Sequence, residues 1–404
     1  MANEYSNFLD EINGKNINFL IGSGASAGII PTLWMDAFSK SFEELLTSNE
    51  YGEDQKIVLY YIWFNLWVKK TQILEVEDQS KEIVKNYDRF ISNLITLSNH
   101  EGFDKPKRVN IFTTNYDTLF ELSFDKLASQ NRLTFFNDGS RGFLKKYVSS
   151  ENFYITAAHS GISDGFQRSI PTINLIKLHG SVTWKKDNEK IEMSLENEIF
   201  EDLVKEAEEV NELILSSKED VDPILDDSAL NEAINFFDIE NIEQSIFDNM
   251  LTEDTLKEHI NQIYSIAEDK LKYFKERYDL LPIVSPTKQK FSETVFEQHY
   301  YQMLRMLSFE LEKKDSILIV FGFSFADEHI LEIVRRSMVN PFLKIYVIAY
   351  NKKSEETIEK ALGKGTQIEF IPNFEEKVDG SLINGNFTFL NNLLGGKKIN
   401  ERVN

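Results

Sequence analysis

The sequence contains no cysteine among its 404 residues. This absence excludes disulfide bonds, thiolate zinc sites, iron–sulfur clusters and cysteine nucleophiles together. Long apolar runs are missing as well. The most apolar stretch, residues 58–68, includes Asn65 and is far shorter than the ~20 residues that cross a bilayer. We therefore expect no membrane-spanning helix and no metal site that depends on sulfur, and zinc is not expected.

Basic residues are in deficit, because 44 Lys and Arg stand against 66 Asp and Glu, giving a formal net charge of −22. DNA and anionic membranes attract an excess of Lys and Arg, so we expect the bulk surface to bind neither. The first residues are acidic and lack a basic segment followed by an apolar one, which argues against a signal peptide. A cytoplasmic protein is the expectation.

Short β-branched runs alternate with helical periodicity along much of the chain. The predicted strands are residues 17–21, 109–113, 173–178, 282–285, 316–321 and 343–348, and a long helical region covers about residues 36–100. Nearly continuous apolar runs are typical of parallel strands that are covered on both faces. The pattern predicts an α/β fold with a doubly wound, parallel, Rossmann-like sheet. Ligands of such sheets bind at the carboxyl ends of the strands.

Most of the negative charge lies in one region. Residues 201–280 hold 23 acidic and 7 basic residues, a net charge of −16, with apolar residues at helical spacing. A charged helical face usually serves only solvation, but the apolar residues need a surface to pack against. We predict an acidic helical insert at residues 191–280, within a nucleotide-binding domain formed by residues 1–190 and 281–404.

The first predicted strand runs into a glycine-rich turn, made of Gly22, Ser23, Gly24, Ala25 and Ser26. Glycines at such a position allow a backbone to approach a diphosphate closely. The spacing is one residue longer than the usual dinucleotide fingerprint. A purely structural turn therefore stays an equal alternative.

Polar residues follow three other predicted strands. Asn115 and Asp117 follow the second strand, His179 follows the third, and Gly322 with Ser324 follows the fifth. Each has an ordinary structural explanation, since Asp117 can cap a helix and a histidine at a strand end is more often packed than catalytic. Asp327, a little further on, is expected to cap the next helix.

Together these strand ends resemble the sirtuin family, and in particular its bacterial NAD-hydrolysing branch in antiphage defence. The turn at residues 22–26 is similar to the family's Gly-Ala-Gly-Ile-Ser loop, and residues 114–117 are similar to its Gln-Asn-Ile-Asp segment. Residues 179–180 match its His-Gly turn, and residues 322–324 resemble its Gly-Thr-Ser turn. The resemblance covers about residues 15–190 and 281–355, and the acidic insert lies outside it.

The resemblance implies a role for each position. The glycine-rich turn would cradle the NAD diphosphate, Asn115 would lie against the nicotinamide ribose, and Asp117 would hold the carboxamide. His179 would contact the ribose hydroxyls. The adenosine side would be served by Gly322 and Ser324, with Asn351 as a weaker candidate for the adenine ribose.

The function implied is hydrolysis of NAD⁺ to ADP-ribose and nicotinamide, with Asn115 and His179 as the catalytic pair. A protein deacylase is one alternative, disfavoured because sirtuin deacylases frame their acyl-lysine cleft with four zinc-binding cysteines. A non-enzymatic sensor of NAD or ADP-ribose is the other.

An ungated NADase would kill its host, so the resemblance implies an abortive-infection effector that is regulated. It also implies a homo-oligomer, and a partner of the HerA type, a DNA-translocating ATPase, with a short Argonaute as the alternative.

Overall fold

The computed structural model describes residues 7–30, 34–35, 40–73, 81–99, 107–161, 168–217, 253–284, 294–374, 377–378 and 381–396. The contacts divide the chain into two compact units. The first contains Met1–Gly28, Ile73–His179 and Glu297–Asn404, and the second contains Ile29–Gln72 and Gly180–Phe296. The predicted domain boundaries near residues 190 and 280 stay a prediction, and the contacts group part of the predicted 36–100 helical region with the second unit.

The first unit is built on a sheet of seven strands. They are β1 (Asn16–Ile21), β2 (Arg108–Thr113), β3 (Phe135–Asn137), β4 (Thr172–Lys177), β5 (Ser316–Phe321), β6 (Lys344–Ile348) and β7 (Ile368–Ile371). Their order is β7-β6-β5-β1-β2-β4-β3, and every pairing is parallel. The predicted α/β class with a parallel, Rossmann-like sheet is confirmed.

The order of the strands determines where a ligand site can form. From β1 the chain builds the sheet to one side through β2, β4 and β3, and then returns to build the other side from β5. A reversal of this kind leaves a crevice outside the carboxyl ends of the strands at the switch point. The segments that follow β1, β2, β4 and β5 therefore leave neighbouring strands at the same edge of the sheet.

Helices of the first unit flank its sheet. They are α1 (Phe8–Ile12), α4 (Lys81–Asn99), α5 (Leu119–Ala128), most of α8 (Thr294–Glu312), α9 (Glu328–Ser337), α10 (Lys352–Leu362) and α11 (Phe387–Leu394). The helices of the second unit are α2 (Phe42–Thr47), α3 (Glu53–Trp63), α6 (Glu198–Ser216) and α7 (Glu253–Tyr278). Buried aromatic rings join the helices to the sheet: Phe90 of α4 meets Phe19 of β1 edge-on at 5.0 Å, and Phe387 meets Phe321 of β5 at 4.9 Å.

A chain of buried asparagines crosses the sheet. The side-chain amide of Asn137 donates to Asn174 at 2.9 Å, Asn174 donates to Asn110 at 2.8 Å, and Asn110 donates to Asn18 at 2.8 Å. Asn18 completes the chain by donating to Ser316 Oγ at 3.2 Å. All four asparagines are at most 3% exposed. Because each buried amide is matched by its neighbour, the chain satisfies polar groups that would otherwise destabilise an apolar sheet.

The second unit has an aromatic core. Trp63 stacks on Trp67 with ring centroids 5.1 Å apart, and its indole N–H donates to the hydroxyl of Tyr278 at 3.0 Å. Phe64 packs between Phe200 of α6 and Phe274 of α7 at 5.8 and 5.4 Å. Two described helices of the predicted acidic region, α6 and α7, thus bury their apolar faces within this unit. Residues 218–252 lie outside the described residues.

The remaining strands are short. They pair as Trp34–Met35 with Lys40–Ser41, Ser140–Arg141 with Lys146–Val148, Ala158–His159 with Arg168–Ser169, Trp184–Asp187 with Lys190–Met193, and Lys377–Val378 with Ser381–Leu382. Other helical turns are Ser23–Ala25, Phe64–Val68, Lys69–Thr71 and Ser150–Tyr154. The prediction of a strand at residues 282–285 is wrong over its described part, where Ile283 forms only an isolated bridge with Gly180. Over the described residues, no helix combines the length and apolar character that crossing a membrane requires.

Candidate functional site

Two glycine turns pack against each other at the ends of β1 and β5. Gly22 N–H donates to Phe321 O at 3.1 Å, and Gly24 N–H donates to Gly322 O at 2.9 Å. A Cβ atom on Gly24 would lie 2.7 Å from Gly322 Cα, and one on Gly22 would lie 2.5 Å from Gly322 O. These positions therefore require glycine because two backbones meet there, whether or not a ligand binds.

The backbone of the first turn is largely bonded within the protein. Besides the two glycine N–H groups, Ala25 N–H donates to Gly22 O and Ser26 N–H donates to Ser23 O. Ser23 is exposed, so its side chain is a polar group that the turn presents outward. Ser26 is buried, with its hydroxyl turned toward the end of β2. In this geometry, the predicted phosphate cradle would depend on Ser23 more than on the glycine N–H groups.

Asn115 lies where β2 gives way to α5. Its side chain is buried, its backbone N–H donates to Thr113 Oγ1 at 3.1 Å, and its side-chain amide donates to Ser26 Oγ at 3.3 Å. The end of β2 and the turn after β1 are thus in contact through two of the predicted site residues. Asn115 also hydrogen-bonds the Asp117 carboxyl, which lowers the pKa of that group, so its amide joins the turn after β1 to the residues that follow β2.

Asp117 lies beside Asn115 in a buried polar cluster. One carboxylate oxygen accepts from the N–H of Leu119, the first residue of α5, at 3.2 Å, but the N-cap of this helix is Thr118 and not Asp117. Burial raises the pKa of Asp117, and the nearby Lys177 charge opposes that shift. Burial, followed by the charge of Asp117, raises the pKa of the Tyr87 phenol. Asp117 therefore keeps its proton to a higher pH than an exposed aspartate does.

Lys177, the last residue of β4, neutralises this region. Its ammonium lies 2.7 Å from a carboxylate oxygen of Glu121 and 2.5 Å from the backbone carbonyl of Asp117, and its side chain is only 3% exposed. Burial raises the pKa of Glu121 as well, although the Lys177 charge lowers it. The buried ammonium thus favours the charged form of both carboxyl groups, while their burial favours the neutral form.

His179 follows β4 and is held by a residue from the turn after β5. Its Nε2 lies 3.0 Å from Oδ2 of Asp327, and the two side chains are 13% and 6% exposed. The other carboxylate oxygen of Asp327 accepts from the backbone N–H groups of His329 and Ile330, at 2.9 and 3.0 Å. Asp327 thus caps α9, as expected, and also bonds the histidine.

The turn between Gly322 and Asp327 has an unusual backbone. Gly322 and Phe325 have φ angles of +63° and +61°, and Phe325 is buried. The left-handed region costs a bulky residue on the order of 1 kcal/mol, and such strain concentrates at functional sites. Ser324, between these residues, is exposed at the same end of β5.

Asn351 follows β6, the next strand outward. Its side-chain oxygen accepts from Ser354 N–H at 2.9 Å and from Ser354 Oγ at 3.0 Å, so that it caps α10. Among the described residues, its side-chain hydrogen bonds join it to its own helix and not to another predicted site residue. Its place in a ligand site stays a prediction.

Sequence reasoning missed Tyr87 and Lys177, and it gave Asp327 only a capping role. Lys177 left a signal, since a lysine ending a buried apolar strand needs a partner. For Asp327, the only signal in the sequence was its position after the end of a strand. For Tyr87 there was no signal, because the sequence does not show which face of a helix meets a distant loop.

Within the described residues, no group of three or more His, Asp or Glu side chains is arranged to hold a metal ion. A scan against protein-family models finds no match for this chain, and a search of curated proteins finds none either. The interpretation of the site therefore depends on its geometry and chemistry.

Proposed function

We propose that this protein is an NAD⁺ hydrolase that cleaves the nicotinamide–ribose bond, on a sirtuin-like sheet with an inserted acidic helical subdomain at residues 191–280. One observation carries the proposal. The four segments that resemble sirtuin motifs follow four adjacent parallel strands. A contact from Asn115 to Ser26 joins the segments after β2 and β1, and a contact from His179 to Asp327 joins the segment after β4 to the turn after β5.

The donor set suits a dinucleotide. The exposed Ser23 would meet the diphosphate, and Ser324 would serve the adenosine side together with the backbone of Gly322. Asn351 remains the candidate for the adenine ribose. Asp117 suits the nicotinamide carboxamide, because its buried carboxyl lies beside Asn115 and carboxylate oxygens accept hydrogen bonds from an amide N–H₂ group.

The reaction asks little of a general acid. The C–N bond to ribose breaks with its electron pair moving to the pyridinium nitrogen, so nicotinamide leaves as a neutral molecule. Water adds to the ribose carbon and loses one proton. The residues must therefore stabilise an oxocarbenium-like transition state, position water and accept that proton. Asn115 is suited to orient the water or the ribose, and His179 to accept the proton.

The decisive experiment measures nicotinamide release from NAD⁺ by the purified chain and by Asn115→Ala and His179→Ala. General acid–base groups and oriented water contribute about 10²-fold or more each, so both variants should fall by at least that factor. Asn16→Ala and His159→Ala are matched controls, which remove the same side-chain types from a half-buried position and an exposed one. They should stay within about two-fold of the wild type. Release at the wild-type rate by Asn115→Ala would contradict the assignment.

The same experiment separates the alternative functions. Tight NAD⁺ binding by calorimetry without nicotinamide release would favour a sensor, and release that requires an acylated peptide would favour a deacylase. We also propose that the enzyme acts as a gated antiphage effector, as a homo-oligomer with a HerA-type ATPase or a short Argonaute. Light scattering and activity with and without the neighbouring gene product test this part. A monomer with full activity alone would argue against gating.

A further inference from the structure

Asp327 uses its two carboxylate oxygens for different purposes. Oδ1 accepts from the backbone N–H groups of His329 and Ile330 at the start of α9, whereas Oδ2 lies 3.0 Å from Nε2 of His179. Helix capping therefore explains one oxygen only. Asparagine and serine cap helices about as well as aspartate, so capping alone does not require a carboxylate at this position.

The contact determines which ring nitrogen of His179 carries the proton. A carboxylate only accepts hydrogen bonds, and the two N–H groups at the start of α9 stabilise its negative charge. Nε2 must therefore be the nitrogen that carries the proton when the imidazole is neutral. The lone pair is then on Nδ1, which becomes the acceptor nitrogen of the ring.

We propose that Asp327 is a positioning residue that fixes His179 in the Nε2–H tautomer and leaves Nδ1 to accept the proton that water loses during NAD⁺ cleavage. The inference rests on the proposed function for the proton-transfer step. The tautomer itself is a property of the ligand-free protein and can be measured without NAD⁺. Asp327 acts through His179 and is not assigned a contact with substrate.

The Asp327→Asn variant separates the two duties of the side chain. Its amide oxygen can still cap α9, while its N–H₂ group would face Nε2 as a donor. The preferred tautomer of His179 should then change to Nδ1–H, which removes the acceptor from the site. Asp327→Ser provides a second variant, because serine also caps the helix but has no second oxygen for the histidine.

The measurement is a long-range ¹H–¹⁵N correlation spectrum of protein labelled with ¹⁵N-histidine. The chain has six histidines, and His179→Gln identifies the His179 signals. Glu328→Gln is the matched control, since it removes one exposed negative charge from the first turn of the same helix without touching the histidine. We expect the Nε2–H pattern in the wild type and in Glu328→Gln, and a shift toward Nδ1–H in Asp327→Asn.

Kinetics then link the tautomer to the reaction. The kcat for nicotinamide release should fall by about 10²-fold or more in Asp327→Asn, while the melting temperature of this variant stays unchanged. In Glu328→Gln, the kcat should stay unchanged. An unaltered His179 spectrum in both Asp327 variants would overturn the inference. A changed spectrum in a protein whose wild type releases no nicotinamide would overturn the proposed function and leave the positioning role supported.

Discussion

Replacing Asn110 with alanine should lower the free energy of unfolding of the first compact unit by about 4 kcal/mol. Asn110 is an inner member of the buried asparagine chain, because its amide donates to Asn18 and its carbonyl oxygen accepts from Asn174, each at 2.8 Å. Its side chain is 3% exposed. Alanine removes both hydrogen bonds and leaves their partners in place.

The magnitude follows from what remains. Asn18 keeps an amide oxygen without its donor, and Asn174 keeps one N–H toward Phe153 O at 3.1 Å but loses the acceptor of the other. Leaving a buried polar group unsatisfied costs about 1–3 kcal/mol. Two such groups give about 2–6 kcal/mol, and about 4 kcal/mol is the middle of that range.

Urea unfolding followed by two probes measures this loss. Far-UV circular dichroism reports both units, whereas tryptophan fluorescence reports the second unit, since all four tryptophans lie within it: Trp34, Trp63, Trp67 and Trp184. The control is Asn16→Ala, which removes a single exposed bond to Lys314 O at 2.8 Å and should cost about 1 kcal/mol or less. If Asn110→Ala were no more destabilising than Asn16→Ala, the reasoning about the buried chain would be refuted.

Two further predictions concern backbone contact and pH. Gly24→Ala should destabilise the protein by about 2 kcal/mol, because the new Cβ would lie 2.7 Å from Gly322 Cα. Gly365→Ala is the control, since its Cβ would meet a side-chain atom at 3.9 Å and its melting temperature should match the wild type. Equal melting temperatures for both variants would contradict the prediction. Burial lowers the pKa of His299 to about 4, whereas an unfolded histidine has a pKa of ~6.5. Between these pH values the unfolded chain binds a proton that the folded chain does not. The free energy of unfolding therefore falls as the pH decreases from ~6.5 toward 4, by up to about 3 kcal/mol. Urea unfolding at pH 7.5 and pH 5 should give a smaller decrease for His299→Gln than for the wild type, and an equal decrease would exclude His299 as the cause.

The parallel sheet was predictable because its central strands are apolar and buried on both faces. The strands that escaped prediction lie at the edges: β3 has three residues, and β7, Ile368–Ile371, is partly exposed and carries Glu369. The incorrect strand at residues 282–285 has the composition of a strand but a single bridge for a partner. Composition indicates what can enter a sheet, and pairing depends on contacts between distant residues.

The predicted site shows the same division between local and distant information. Parallel strands bring their carboxyl ends to one edge, so the neighbourhood of Gly22, Asn115, His179 and Gly322 follows from strand order. The bond between His179 and Asp327 joins residues 148 positions apart, and it depends on the direction of two side chains. From the sequence, helix capping alone explains an aspartate at position 327, and one of its carboxylate oxygens does cap a helix.

The asparagine chain also bears on how the ends of β1, β2 and β4 are aligned. Asn18, Asn110 and Asn174 are paired in register, and each stands three residues before the last residue of its strand, Ile21, Thr113 and Lys177, which are paired in register as well. A slip of one residue in β4 would raise or lower His179 by about 3.3 Å relative to its neighbours, a displacement as large as its distance to Asp327. The row of amides in the first half of these strands thus fixes their register, and with it the height at which each predicted site segment leaves the sheet. A misaligned strand would lose its buried amide pairing.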